Sequence, residues 1–212
     1  MNQDFPYLQK ETGYSQVCPL CFSCDFVHFH TDKKRDYFRC NQCAVVFVPA
    51  HYYLSATQEK AIYDLHENDP IDEGYRKFLS RLLEPLCQKL KPGCQGLDFG
   101  CGPGPALSLM LKDKGFEMEL YDPLYAKEPS VLKRQYDFIT CTEVVEHFRR
   151  PDSDFKRIHQ ILKPAGMLGI LTQVMVHPSR FADWWYHRDP THLAFYQRKT
   201  FEWISQWLDW SV

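Results

Sequence analysis

A doubly wound α/β domain on a parallel sheet, preceded by a small metal-stapled module, is predicted by three observations. Strand-like and helix-like segments alternate from Gly96 onward. A glycine turn, Gly100-Cys101-Gly102-Pro103-Gly104, joins the first of these strands to the first helix. Five of the nine cysteines (Cys18, Cys21, Cys24, Cys40 and Cys43) crowd into 26 residues near the N-terminus. At 212 residues and 44% hydrophobic, the chain has room for one full-sized core and a small appendage.

The N-terminal module is expected over residues 1–50. Cys18-Pro-Leu-Cys21 and Cys40-Asn-Gln-Cys43 are two C-x-x-C pairs separated by 18 residues, and four thiolates complete the closed tetrahedral shell of structural zinc. Between them Asp25–His30 and Asp36–Arg39 read as short strands joined by a charged turn, which is a zinc-ribbon layout. Cys21 and Cys24 have the same spacing as the first pair, so Cys24 is an alternative ligand. His28 and His30 fall on one side of a strand and read as surface or packing residues.

Residues 51–72 show little periodicity and read as an irregular connection. Over 73–212 the pattern changes. Tyr75, Phe78, Leu79, Leu82, Leu83, Leu86 and Leu90 form one face of a helix, with a kink expected at Pro85. A strand at Leu97–Phe99 and a helix ending at Gly115 follow, then strands at 116–121 and 136–141. A helix from Pro151 to Leu162, a turn at 163–166 and a buried strand at 167–172 complete the alternation. A last helix is expected at Thr200–Leu208, with the start of a strand at 210–212.

The glycine turn alone fits many nucleotide-like ligands, and it lacks the third glycine of a dinucleotide fingerprint. Asp98, two residues before Gly100, would repel a pyrophosphate and welcome an ammonium group or a water network. S-adenosylmethionine has a cationic amino-acid end and no phosphate. Asp122, 18 residues after Gly104, stands at the end of the next strand, where a carboxylate takes ribose hydroxyls.

The run Asp98-Phe-Gly100-Cys-Gly102-Pro-Gly104, then Tyr121-Asp122-Pro123, then Asp137 to His147, then Leu162-Lys-Pro-Ala-Gly166, resembles the successive motifs of class I S-adenosylmethionine-dependent methyltransferases. With the cysteine pairs, the chain is similar to zinc-ribbon-bearing bacterial C- and O-methyltransferases, some of which methylate nucleotide-linked deoxysugars. The resemblance implies a Rossmann-like sheet and a small-molecule acceptor. It also implies that Asp98, Gly100 and Gly102 line the methionine end, Asp122 holds the ribose, Pro123 packs near the adenine, and Thr142 and Glu143 close the site, with Cys101 of the glycine turn also a cofactor-binding residue. Only 14 residues separate Asp122 from Asp137, too few for the family's third strand and helix, and the closing hairpin after residue 208 is curtailed.

Glu143, Glu146 and His147 fall at i, i+3 and i+4, expected on one helical face. His147 is a candidate base; alternatively the three hold a divalent cation, as the similar Glu-x-x-Glu-His pattern is proposed to do in quinone-biosynthesis O-methyltransferases, or they only stabilise the turn. The stretch from Phe181 to Tyr196 carries Trp184, Trp185, Tyr186, His187, Arg188 and His192 where a substrate-covering loop belongs. His192 is the strongest candidate there for a catalytic or substrate-contacting group.

A net charge of -2 gives no bulk electrostatic basis for nucleic-acid or membrane binding, and Lys33-Lys34-Arg35 is the only basic run. No run is long enough to span a bilayer and the first residues lack a signal-peptide pattern, so a cytoplasmic location is expected. An RNA methyltransferase docking through its ribbon and a cofactor-holding module without catalysis stand as alternatives to the small-molecule enzyme.

Overall fold

A computed structural model describes residues 17–65 and 69–211. The first sixteen residues of the expected module, residues 66–68 of the connection and Val212 lie outside the described residues.

The chain opens with a hairpin, β1 (Phe26–Thr31) and β2 (Asp36–Cys40), followed by β3 (Val46–Phe47). The connection is not wholly irregular: α1 (Ala56–Tyr63) starts at a capping box in which Ser55 and Gln58 satisfy each other's backbone N–H groups. Next, α2 (Glu73–Lys89) starts where Asp72 accepts the Tyr75 N–H at 2.6 Å and buries Leu79, Leu82, Leu83 and Leu86. The helix runs through Pro85, which lacks the N–H that would bond the Arg81 carbonyl.

The alternating half contains β4 (Gln95–Phe99), α3 (Ala106–Asp113), β5 (Glu117–Tyr121), β6 (Tyr136–Thr142), α4 (Pro151–Ile161) and β7 (Leu162–Leu171). Two residues of strand, β8 (Ala194–Phe195), precede the last helix, α5 (Arg198–Leu208). Trp210 and Ser211 form no strand.

Strands β5-β4-β6-β7 form a sheet in that order, every pair parallel. Alternate residues of each strand face opposite layers. Leu97, Phe99, Ile139 and Cys141 pack with Phe155, Ile158 and Ile161 of α4 and with Ile204 and Leu208 of α5. On the other face Met118 and Phe138 pack with the leucines of α2 and with Leu107, Met110 and Leu111 of α3. Helices therefore cover both faces, as a doubly wound sheet requires. Between Asp122 and Tyr136 there is a two-residue bridge, Asp122 to Ala126, and one short turn of 3-10 helix, Val131–Lys133, in place of a strand and full helix. The expected turn at 163–166 survives inside β7 as an irregularity: Tyr136 pairs with Leu162, but Phe138 pairs with Met167. Ala165 takes a φ of +61° there.

The second sheet joins distant parts of the chain. Its order is β1-β2-β3-β8, antiparallel throughout, so Val46 pairs with Phe195 and Phe47 with Ala194. The segment leading into α5 is thus the fourth strand of the N-terminal sheet. His28 bonds Thr31 at 2.8 Å on the surface, whereas His30 packs against the rings of Tyr37, Phe181 and His187. Among the described residues, no helix is long and apolar enough to cross a membrane.

Candidate active site and cysteine centre

The carboxyl ends of β4, β5 and β6 open into a cavity of about 950 Å³. Its walls include Asp98, Gly100, Cys101, Gly102, Asp122, Pro123, Thr142, Glu143, His147 and His192, so all ten cofactor and catalytic candidates are brought together. Helix α1 closes one side through Ala56, Glu59 and Tyr63. The Ser55-x-x-Gln58 capping signal is what would have revealed that wall in the sequence.

The glycine turn is built by β4 pairing with β5. Gly100 and Cys101 N–H groups both bond the Tyr121 carbonyl, at 2.7 and 3.2 Å. Gly100 has a φ of +81°, and a Cβ there would come within 2.5 Å of Val144, so any side chain at this position forces the turn to shift. Asp122 ties the turn down: Oδ2 accepts the Gly102 N–H at 3.0 Å, and Oδ1 accepts those of Leu124 and Tyr125 at 2.7 and 3.0 Å. Asp98 lies on the cavity floor, accepting the Thr140 hydroxyl at 2.8 Å and the Ser108 hydroxyl at 2.9 Å, and burial raises its carboxyl above the usual range. Ser108 and Thr140 are partners that the sequence signals only as polar residues on otherwise apolar faces. Burial pushes the Cys101 thiol up to about 12, which keeps it protonated and unreactive.

Glu143, Glu146 and His147 do not share a helical face. Glu143 stands at a φ of +51°, and Val145–His147 is a single 3-10 turn, because the chain must bend sharply off β6. Glu146 is fully buried, bonding the Tyr186 hydroxyl and, at 3.1 Å, that of Thr172. Burial raises Glu146 to about 7; burial and the charge of Glu146 raise Glu143 to about 8. The group whose ligand atoms come within 4.8 Å of one another is instead Glu146, His147 and His192.

The two histidines are oriented alike. His147 Nδ1 is 3.0 Å from the Thr191 carbonyl, and His192 Nδ1 is 2.8 Å from that of Tyr186. A carbonyl only accepts, so each Nδ1 carries the hydrogen and each Nε2 keeps its lone pair. The rings meet edge to face at 4.8 Å. Burial lowers both, His192 to about 4 with the neighbouring His147 charge contributing, so both are neutral near pH 7. Of the other residues in the expected covering loop, Trp185 (61% exposed), Tyr186 and Asp189 reach the cavity. Trp184 instead packs on Tyr186, His187 stacks on Phe181 in the core, and exposed Arg188 is absent from the cavity wall.

At the other end, Cys18, Cys21, Cys40 and Cys43 converge, with sulfurs 3.6 Å apart for Cys18 and Cys43 and 3.4 Å for Cys21 and Cys40. Cys24 is exposed and outside the group.

A family model described as "Methyltransferase domain" matches residues 71–212. A ubiquinone biosynthesis O-methyltransferase of Salmonella newport (strain SL254) is 32% identical over 71 residues, which are 34% of this chain and 29% of that protein. The match thus spans under a third of the curated relative's length. Among solved structures, an O-methyltransferase family protein from Burkholderia thailandensis is 17% identical with a TM-score of 0.47, covering 74% of this chain and 59% of that one. The PH0226 protein of Pyrococcus horikoshii OT3 is 16% identical with a TM-score of 0.46, covering 69% and 88%. Since the family model takes in the sheet of β4 to β7, the helices on both its faces and every cofactor and catalytic candidate in the cavity, the chain belongs to the methyltransferase-domain family.

Proposed function

We propose that the chain transfers a methyl group from S-adenosylmethionine to a small-molecule acceptor, with a structural zinc held by Cys18, Cys21, Cys40 and Cys43. The observation that carries the reading is the division of one cavity: Asp98 and Asp122 stand at the glycine turn, and two neutral histidines with free Nε2 lone pairs stand elsewhere on the wall. The residues present fit the cofactor. Asp98 is a buried acid suited to a cationic amino-acid end, and Thr142 Oγ1 is buried without a hydrogen-bond partner among the described residues. Four sulfurs 3.4–3.6 Å apart within the bonded pairs suit zinc, whose tetrahedral shell at about 2.3 Å per bond sets sulfurs about 3.8 Å apart.

The bound cofactor would supply an electrophilic methyl group on a sulfonium. The chain's own contribution is alignment and proton removal. His192 Nε2 accepts the proton that an acceptor hydroxyl or amine must lose, and Asp189, 3.9 Å from that nitrogen, favours the imidazolium so formed. His147 lies edge-on beside it, and Trp185 offers a flat apolar surface at the cavity wall. The RNA-docking alternative loses support because Arg35, one third of the basic run, is buried. Calorimetric titration with S-adenosylhomocysteine tests the cofactor half: one molecule bound per chain is expected, and no heat at millimolar ligand overturns it.

A further inference from the structure

The turn of the N-terminal hairpin is plugged into the loop that carries His192. Arg35 is 6% exposed, and its guanidinium donates to four backbone carbonyls more than 150 residues away in sequence. Nη1 reaches Pro190 and His192 at 3.1 and 3.0 Å, and Nη2 reaches His187 and, at 2.8 Å, Asp189. Four carbonyl dipoles converging on one point repel each other unless a cation lies between them, and a planar guanidinium supplies donors in several directions at once. The turn holds Arg35 ready: Asp32 Oδ1 accepts the Lys34 and Arg35 N–H groups at 2.6 and 2.8 Å. The Tyr37 hydroxyl lies 2.7 Å from Asp32 and 3.1 Å from the His187 carbonyl.

We propose that Arg35 is a positioning residue for the acceptor side of the cavity, and that through it the cysteine-bound hairpin sets the orientation of His192 and His147. This rests on the methyl-transfer reading, in which those rings face the acceptor. The carbonyls that Arg35 grips bracket Thr191, whose own carbonyl fixes Nδ1 of His147. Arg35 holds the backbone of His192, while the Tyr186 carbonyl holds its ring. The rest of the segment is anchored independently: the Leu193 N–H bonds the Glu146 carbonyl at 2.8 Å, and Ala194–Phe195 pairs with β3. Loss of Arg35 should therefore loosen residues 187–192 and leave the fold and the glycine turn standing.

The test compares Arg35→Ala with the unaltered full chain by three readings: calorimetric binding of S-adenosylhomocysteine, amide hydrogen exchange at Thr191, His192 and Leu193, and the imidazole Nδ1–H resonances of His147 and His192. The proposal expects cofactor-product affinity unchanged within about twofold, exchange at Thr191 and His192 faster by about tenfold or more, and loss of the fixed Nδ1–H signal of His192. It also expects added guanidinium ion to restore that signal. Unchanged exchange and an intact Nδ1–H signal in the variant overturn it. Should Arg35→Ala not fold, Arg35→Lys decides, because it keeps the charge without the planar fork: a folded protein with faster loop exchange supports the proposal, and wild-type behaviour overturns it. Failure of both variants to fold also overturns it, making Arg35 a determinant of the fold rather than of the loop. If the unaltered chain binds no S-adenosylhomocysteine, the methyl-transfer reading fails, and the exchange and resonance readings still judge the clamp.

Discussion

Asp122 Oδ2 accepts the backbone N–H of Gly102 at 3.0 Å, which ties the end of β5 to the glycine turn after β4. The same carboxylate holds the N–H groups of Leu124 and Tyr125, so it organises the cavity wall before any ligand arrives. Asp122→Ala should weaken S-adenosylhomocysteine binding by about 1–3 kcal/mol, or roughly 5- to 150-fold, through lost charge-assisted hydrogen bonds. Calorimetry reads this directly, and an unchanged affinity would remove Asp122 from the cofactor site.

Gly100→Ala should be worse for binding than its size suggests. The added Cβ meets both methyls of Val144 at 2.5–2.6 Å on a backbone already at a φ of +81°. The turn must shift, with a cost of about 1–3 kcal/mol in stability. Val144→Ala in the same chain relieves the clash but not the backbone strain, so a melting curve of the double variant should recover only part of the loss.

The buried carboxyls make stability fall as pH rises. Glu146 and Glu143 titrate near 7 and 8 in the fold against 4.5 when unfolded, so between those values the folded chain holds protons that the unfolded chain has released. Glu146→Gln keeps the shape without the charge. It should raise the melting temperature at pH 8 by several degrees, at about 2–4 °C per kcal/mol for a chain of this size, and change it little at pH 5. His192 works in the opposite sense. Its value is lowered to about 4, so stability is lost as pH drops from 6.5 toward 4, and His192→Gln should flatten that acid limb.

Elemental analysis should find about one zinc per chain, and a strong chelator should remove both the metal and the protection of the β1–β2 amides. Cys40→Ser should act like the chelator, since Cys40 is buried between the other ligands. Cys24→Ser should do nothing to metal content, because that thiol is exposed and apart.

What the sequence disclosed divides by range. Periodicity at 73–90, the glycine turn and the cysteine pairs are local, and the structure places each where local physics puts it. Helix α1 was locally encoded too, by Ser55 and Gln58, but its apolar periodicity is too weak to reveal it and it buries no residue. Glu143 shows the limit of pattern reading: i, i+3 and i+4 spacing implies one face only where the backbone is helical, and here it is not. Arg35 and β8 were beyond reach for a different reason. A guanidinium gripping carbonyls 152 to 157 residues away, and a two-residue strand joining a remote sheet, leave no trace in nearby residues.

The shared sheet also bears on how the chain becomes a protein. Val46 and Phe195 pair across a separation of 149 residues, so the entropy of closing that loop opposes the contact until most of the chain is in place. The hairpin and β3 precede β8 in the chain by about 150 residues, so during synthesis they emerge well before their fourth strand. Until β8 arrives, the edge of β3 is left with unpaired backbone groups beside Val45, Val46, Phe47 and Val48, which are all buried in the finished molecule. The nascent protein therefore carries a sticky edge from the time β3 is made until β8 emerges to cover it.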